Sequence, residues 1–224
     1  MGGFGTRAGA GETQIEVDRR IIRKKISLLK KKLKSIDSER QVQSKKRKSF
    51  FRTSFVGYTN VGKSSLMKSV TKSDVLIRNQ LFATLDTTVR RLFIGDNNYV
   101  LLSDTVGFIR NLPDNLIASF KSTLQEVVDS NLLLIVLDAS SQDLFNEIET
   151  IKSVLQEINA NEIDYKYVFN KIDLVDPEKI SYLKQSFPDS LMVSATRSLQ
   201  ISDIKDTIAE KYEEWVSALK NPSH

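Results

Sequence analysis

The spacing of hydrophobic positions changes near residue 50. Before it, Ile22, Ile26, Leu29, Leu33 and Ile36 recur every three or four residues, which is one narrow apolar seam along a helix. Lys and Arg fill the rest of that stretch. After it, short apolar runs alternate with amphipathic segments. Arg52–Val56, Val89–Ile94, Tyr99–Ser103, Leu132–Leu137, Tyr165–Phe169 and Leu191–Val193 predict strands. Lys63–Val70, Leu116–Asp129, Asp143–Glu157, Pro177–Ser186 and Ile201–Ala218 predict helices. Gly95-Asp96-Asn97-Asn98 predicts a hairpin turn between the second and third strands. This alternation argues an α/β domain with a mostly parallel six-stranded sheet flanked by helices.

The first segment is of another kind. Residues 1–13 are rich in Gly, Ala and Thr and read as a loop. Thr13 is a candidate N-cap with Glu16 three residues on. The narrow seam needs a partner helix, and no second such helix precedes the phosphate-loop motif described below. Ser35 to Ser49 is polar and basic and reads as a fraying helix end and linker. The division expected is a glycine-rich loop with a basic helical arm over 1–49, an α/β domain over 50–219 and a tail over 220–224.

Charge sharpens that division. The net charge of the 224-residue chain is +5. Residues 19–52 hold 15 Lys and Arg against Asp37 and Glu39, a local +13 that leaves −8 on the remainder. A basic arm on an acidic domain suggests a polyanionic partner, RNA being the natural candidate. No run of 18 apolar residues suits a spanning helix, and with no cysteine there are no disulfides or thiolate metal sites. His224, the one histidine, reads as a tail residue, and Trp215 as a packing residue on the last helix.

The candidate chemistry lies after predicted strands. Gly57-Tyr58-Thr59-Asn60-Val61-Gly62-Lys63-Ser64 matches the G-x-x-x-x-G-K-[ST] phosphate loop, with a strand before it and a helix from Ser65 after it. Backbone N–H groups and a helix N-terminus would face phosphate oxygens, Lys63 would reach the terminal phosphates and Ser64 would hold Mg²⁺. Asp104-Thr105-Val106-Gly107 follows the third strand. Asp104 can hold Mg²⁺ through water, and the Gly107 N–H can meet the terminal phosphate. Asn170-Lys171-Ile172-Asp173 follows the fifth. Asp173 can accept from guanine N1–H and the 2-amino group, donors that adenine lacks, so GTP or GDP is the expected ligand. Asn170 can bind the base and tie its loop to the phosphate loop, and the Lys171 stem can cover the base. Ser194-Ala195-Thr196 would close the other side, the Ala195 N–H reaching the guanine oxygen. A further Mg²⁺ ligand must come from Thr84, Thr87 or Thr88, and position alone does not choose.

Residues 5–20, GTRAGAGETQIEVDRR, resemble the GTRGPGETQLE-DRR signature of the HflX family of ribosome-associated GTPases. Gly57-Tyr58-Thr59-Asn60, Leu81-Phe82-Ala83-Thr84-Leu85-Asp86 and Asp104-Thr105-Val106-Gly107-Phe108-Ile109 resemble that family too. The resemblance implies a P-loop GTPase fold and makes Thr84, within Phe82–Asp86, the Mg²⁺ threonine. Lys63, Thr84 and Gly107 are then the catalytic set. It further implies binding to the large ribosomal subunit through the arm, a part in splitting or rescuing stalled ribosomes, and a cytoplasmic or organelle-matrix location. A monomer is expected. Thr87 stands where the family usually has Pro, and Ala10 departs from GPGET. Family members carry an N-terminal domain and a first hairpin helix before the GTR loop, so the chain is expected to be a piece of a longer protein or a short member.

Two positions bear on rate. Phe108 occupies the place where many small GTPases carry a water-orienting glutamine, so slow intrinsic hydrolysis stimulated by a partner is expected. Arg90, Arg91 and Arg110 read as surface residues rather than arginine fingers. The loop resembles N-x-G-K-S loops whose Asn binds K⁺ beside the phosphates, which makes Asn60 a candidate K⁺ ligand, with a loop-stabilising role as the alternative. Competing readings are a nucleotide-gated RNA-binding module and an rRNA- or tRNA-maturation GTPase.

Overall fold

A computed structural model of the chain describes residues 14–47, 49–71, 88–95, 98–105, 107 and 124–220. It divides into two units, Met1–Lys46 and Arg47–His224.

The first unit is built on one helix, α1, Gln14–Arg47. At 1.5 Å per residue it is about 50 Å long. It runs through the segment expected to be a linker from Ser35 onward. The reason lies in composition: Lys, Arg, Gln, Glu and Ser carry no strong breaker, and neither Gly nor Pro occurs between Gln14 and Arg47. Ile22, Ile26 and Leu29 of the seam are about half exposed, as are Ile21 and Leu28. The side chains of Leu33 and Ile36, and the Thr13 cap, lie outside the described residues.

The second unit is an α/β domain. Its strands are β1 (Arg52–Val56), β2 (Thr88–Gly95), β3 (Asn98–Asp104), β4 (Leu132–Asp138), β5 (Asp164–Asn170) and β6 (Leu191–Met192). Its helices are α2 (Lys63–Thr71), α3 (Gln125–Val128), α4 (Leu144–Glu157), α5 (Pro177–Ser186) and α6 (Ile201–Lys220). The order across the sheet is β2-β3-β1-β4-β5-β6, and only β2 runs antiparallel to its neighbour. Each element starts or ends within about two residues of expectation where it is described. Of the helix expected over Leu116–Asp129, α3 is the described part. β6 stops at Met192, although the Val193 N–H still donates to Phe169 O at 2.8 Å.

β1 and β4 form the middle of the sheet and are buried along nearly their whole length. Each fully buried Leu or Ile of β4 contributes about 1.5–3 kcal/mol of gross hydrophobic stabilisation, so this strand is the anchor of the core. α5 begins with Asp176 as N-cap, its carboxylate accepting from Lys179 N at 2.7 Å, and Pro177 in the first turn. Trp215 packs on Phe51 and Tyr212, with ring centroids 5.7 and 6.1 Å away. Because β1, β3, β4 and β5 are parallel, their C-terminal ends gather Gly57, Asp104, Asp138 and Asn170 along one edge of the sheet. Ligands of such sheets bind beyond that edge.

Candidate functional site

The loop after β1 turns sharply to enter α2. Asn60 is left-handed at φ 65° and Gly62 has φ 96°. A Cβ on Gly62 would collide with the Asn170 amide nitrogen, so the close approach of β5 to this loop requires glycine as much as the φ does. The Leu66 N–H then donates to Gly62 O at 2.9 Å and starts the helix. Successive N–H groups of such a loop, with the positive end of a helix behind them, make an anion cradle.

Lys63 lies buried inside the cradle. Its ammonium donates to Tyr58 O at 2.8 Å and Gly57 O at 3.1 Å. Burial pushes its pKa down to about 8, against the opposing pull of the Asp104 carboxylate. The Ser64 hydroxyl donates to Asp104 Oδ2 at 2.6 Å. Thr105 Oγ1 donates to Phe55 O at 2.7 Å and fastens the end of β3 to β1. Gly107 passes directly over the loop: a Cβ there would stand 2.7 Å from Thr59 N and 2.8 Å from Lys63 Nζ. Ser64 and Asp104 offer a hydroxyl and a carboxylate side by side, the hard oxygen donors that suit Mg²⁺. Among the described residues no group of three or more His, Cys, Asp or Glu could hold a metal.

The other half of the site is built around Asn170, which is buried. Its Nδ2 donates to Val61 O at 2.8 Å, across 109 residues of sequence. Its Oδ1 accepts from Ala195 N at 3.0 Å. In this structure the Ala195 N–H is thus spent on Asn170, and it would have to leave that acceptor to reach a guanine oxygen. A buried amide takes the nearest strong acceptor, and here that is Asn170. Asn170 itself spends both ends of its side chain within the protein. Ser69 of α2 reaches the same loop, donating to Ala195 O at 3.3 Å. Ser194 Oγ accepts from Arg197 N at 3.1 Å, while Thr196 is exposed.

Lys171 is left-handed at φ 64°. Its ammonium meets Asp138 Oδ2 at 2.6 Å, a partner that sequence reasoning missed. Ile172 turns the chain back into the core, and Asp173 stands exposed on the short 3₁₀ turn Ile172–Leu174. Asp173 makes no hydrogen bond or ion pair with the described residues, which leaves its two oxygens available as acceptors. Tyr58 and Val61 are buried, whereas Thr59 and Ser65 are partly exposed and Asn60 is exposed. Phe82, Ala83, Thr84, Leu85, Asp86, Val106, Phe108 and Arg110 lie outside the described residues, as does Thr87. Thr88 is described, and it pairs with Asp104 in the β2–β3 ladder.

Residues 52–171 match the family described as 50S ribosome-binding GTPase, and residues 1–47 match the GTP-binding GTPase middle region. A protein named GTPase HflX from Gluconacetobacter diazotrophicus is 42% identical over 95% of this chain and 47% of its own length. One of the same name from Flavobacterium psychrophilum is 54% identical over 77% of this chain and 41% of its own. The chain thus spans about half the length of the curated relatives it matches. Among solved structures, a GTP-binding protein from Sulfolobus solfataricus in complex with GDP aligns with a TM-score of 0.62 and 25% identity, over 88% of this chain and 60% of that one.

The lowered pKa of Lys63 has a measurable consequence. In the folded protein the neutral amine is favoured above pH 8, and an anion bound against it favours the ammonium again. Binding therefore takes up a proton and weakens as pH rises through 8. Between pH 7 and pH 8.5 the affinity for GDP is expected to fall about four-fold, for a pKa near 8 in the free protein. Titration calorimetry in buffers of different ionisation enthalpy reads both the affinity and the proton uptake. Equal affinity at the two pH values would contradict it.

Proposed function

The chain belongs to the HflX family of GTPases, and on that footing we propose that residues 50–219 bind GTP with Mg²⁺ and hydrolyse it, while residues 1–49 engage the RNA of the large ribosomal subunit. The observation that carries this reading is the Asn170 clamp. One buried amide joins the phosphate loop to the loop of Ser194–Thr196, and the exposed Asp173 follows it three residues on. A carboxylate with both oxygens available, beside an anion cradle, suits the N1–H and 2-amino donors of guanine.

The roles follow from the geometry and from the family motif. Gly57–Ser65 would wrap the phosphates, and Lys63 would exchange its bonds to Gly57 O and Tyr58 O for the terminal phosphates. Ser64 and Asp104 would hold Mg²⁺, Asp104 through water, together with Thr84 of the Phe82–Asp86 motif. The bound ion would neutralise charge developing on the transferred phosphoryl group. Gly107 lies close enough to Thr59 and Lys63 to register whether a terminal phosphate is present, and Thr105 anchors the strand end behind it. Asn170, Lys171 and Asp173 would frame the base, with Ser194, Ala195 and Thr196 opposite. With Phe108 in place of a water-orienting glutamine, hydrolysis would be slow without a partner. In the cell we place the protein in the bacterial cytoplasm, acting as a monomer in ribosome splitting or rescue.

Asn60 has two candidate uses, and its geometry bears on both. Its φ of 65° suits Asn better than most residues, which is a structural reason for its presence. Its side chain is exposed and makes no hydrogen bond with the described residues, so it remains open to a K⁺ ion beside the phosphates.

Base recognition is tested by Asp173→Asn. The variant is expected to lose at least about 100-fold in GDP affinity and to gain affinity for xanthosine diphosphate, because an amide can donate to the 2-oxo group. An unchanged preference for GDP would sink the guanine reading. Catalysis is tested by turnover in K⁺ and in Na⁺, with and without large ribosomal subunits. Stimulation by subunits is expected. Loss of any K⁺ advantage in Asn60→Gly, which keeps the left-handed backbone available, would assign the ion to the side chain. Rates indifferent to subunits would favour a nucleotide-gated RNA-binding module instead.

A further inference from the structure

Asp138 lies outside both sequence motifs that define the base site, yet it forms an ion pair with Lys171, which belongs to one of them. The geometry of this pair differs from that of an ordinary surface ion pair. The two charged atoms are 2.6 Å apart, and both side chains are mostly covered. The carboxylate is oriented before Lys171 reaches it: Asp138 Oδ1 accepts from the Ser140 N–H at 2.9 Å and from the Ser140 hydroxyl at 2.6 Å, leaving Oδ2 for the ammonium. The backbones are locked as well. Asp138 and Asn170 are register partners at the ends of β4 and β5, and the Ala139 N–H donates to Asn170 O at 2.9 Å. Asp138 is thus a rigid post at the end of a buried central strand of the sheet.

Lys171 is held at both ends by this arrangement. Its Cα is fixed in the left-handed region, directly after the clamped Asn170 and two residues before Asp173. Its ammonium is fixed on Asp138. Both ends of the four-carbon stem are thus fixed beside the loop that carries Asn170 and Asp173. A lysine released from Asp138 would regain rotamer freedom, which nucleotide binding would have to remove. Burial pushes the Asp138 carboxyl up, but the Lys171 ammonium and the two hydrogen bonds from Ser140 together outweigh it and hold the carboxyl below its usual range, so the post keeps its charge throughout neutral pH.

We propose that Asp138 is a positioning residue for guanine nucleotides, presetting the Lys171 side chain as a wall of the base site through the Asp138–Lys171 contact. This rests on the reading that the site takes a guanine nucleotide.

The test uses the full chain and GDP. Asp138→Asn keeps the shape and the Ser140 contacts but removes the charge. It is expected to speed GDP dissociation and raise the KM for GTP by up to about 30-fold, the most that the regained rotamer freedom of one lysine side chain can cost, with the loss falling on KM rather than kcat. Lys171→Met keeps an unbranched stem without the ammonium, and adding Asp138→Asn to it is expected to cost less than a further two-fold. Asp138→Asn with wild-type GDP dissociation, or two losses that simply multiply in the double variant, would overturn the proposal. Wild-type protein that binds no GDP would remove the nucleotide reading itself and this proposal with it, a result distinct from either of those.

Discussion

Both ends of the Asn170 side chain are used inside the protein, and the rest of the site depends on that. The amide nitrogen holds the phosphate loop at Val61, and the amide oxygen holds the loop after β6 at Ala195. Each is a buried bond whose loss leaves a partner unsatisfied, at a cost of about 1–3 kcal/mol. Three segments distant in sequence are thereby fixed relative to one another by a single group. The same contact explains Gly62, since the space for a side chain there is taken by the Asn170 amide. A lone amide can do this because β1, β4 and β5 are adjacent and parallel, so their ends arrive together.

On that frame the site holds charge at uneven cost. Lys63 is buried, and its pKa has fallen to about 8 as a result. It is kept in place by two backbone carbonyls that an incoming phosphate can replace. The phosphate side is therefore a cation awaiting an anion. The base side is the reverse, with an exposed carboxylate at Asp173 and a lysine already neutralised by Asp138. A buried cation at one end and an open acceptor at the other match the polarity of the guanine nucleotide we propose as ligand. The long α1 helix adds a separate basic surface in its own unit.

Much of this was legible in the residues alone. The phosphate loop, Asp104, Gly107 and Asn170-Lys171-Ile172-Asp173 could be placed because each follows an apolar run of strand length. What escaped was set by contacts between elements. Ser35 to Arg47 looked like a linker because it is polar, yet polarity does not end a helix when no glycine, proline or cap interrupts it. The bond from the Ala195 N–H to Asn170 was not legible, because that acceptor belongs to a loop 25 residues away in sequence. Asp138 carried no motif. Its role depends on the β4–β5 register, which pairs it with Asn170, and a one-residue shift would have turned it away. Gly62 matched its motif position, but the close approach of the Asn170 amide that also demands glycine there was not visible without the neighbour.

The central claim is that Asn170 couples the two loops mechanically before any ligand arrives. Hydrogen exchange on the full chain, comparing wild type with Asn170→Ala, tests it most directly. The account predicts that amides of residues 61–65 and 193–196 lose protection together, by about ten-fold or more, while those of Leu133–Val136 in β4 keep theirs. Loss confined to one of the two loops, or to neither, would contradict it.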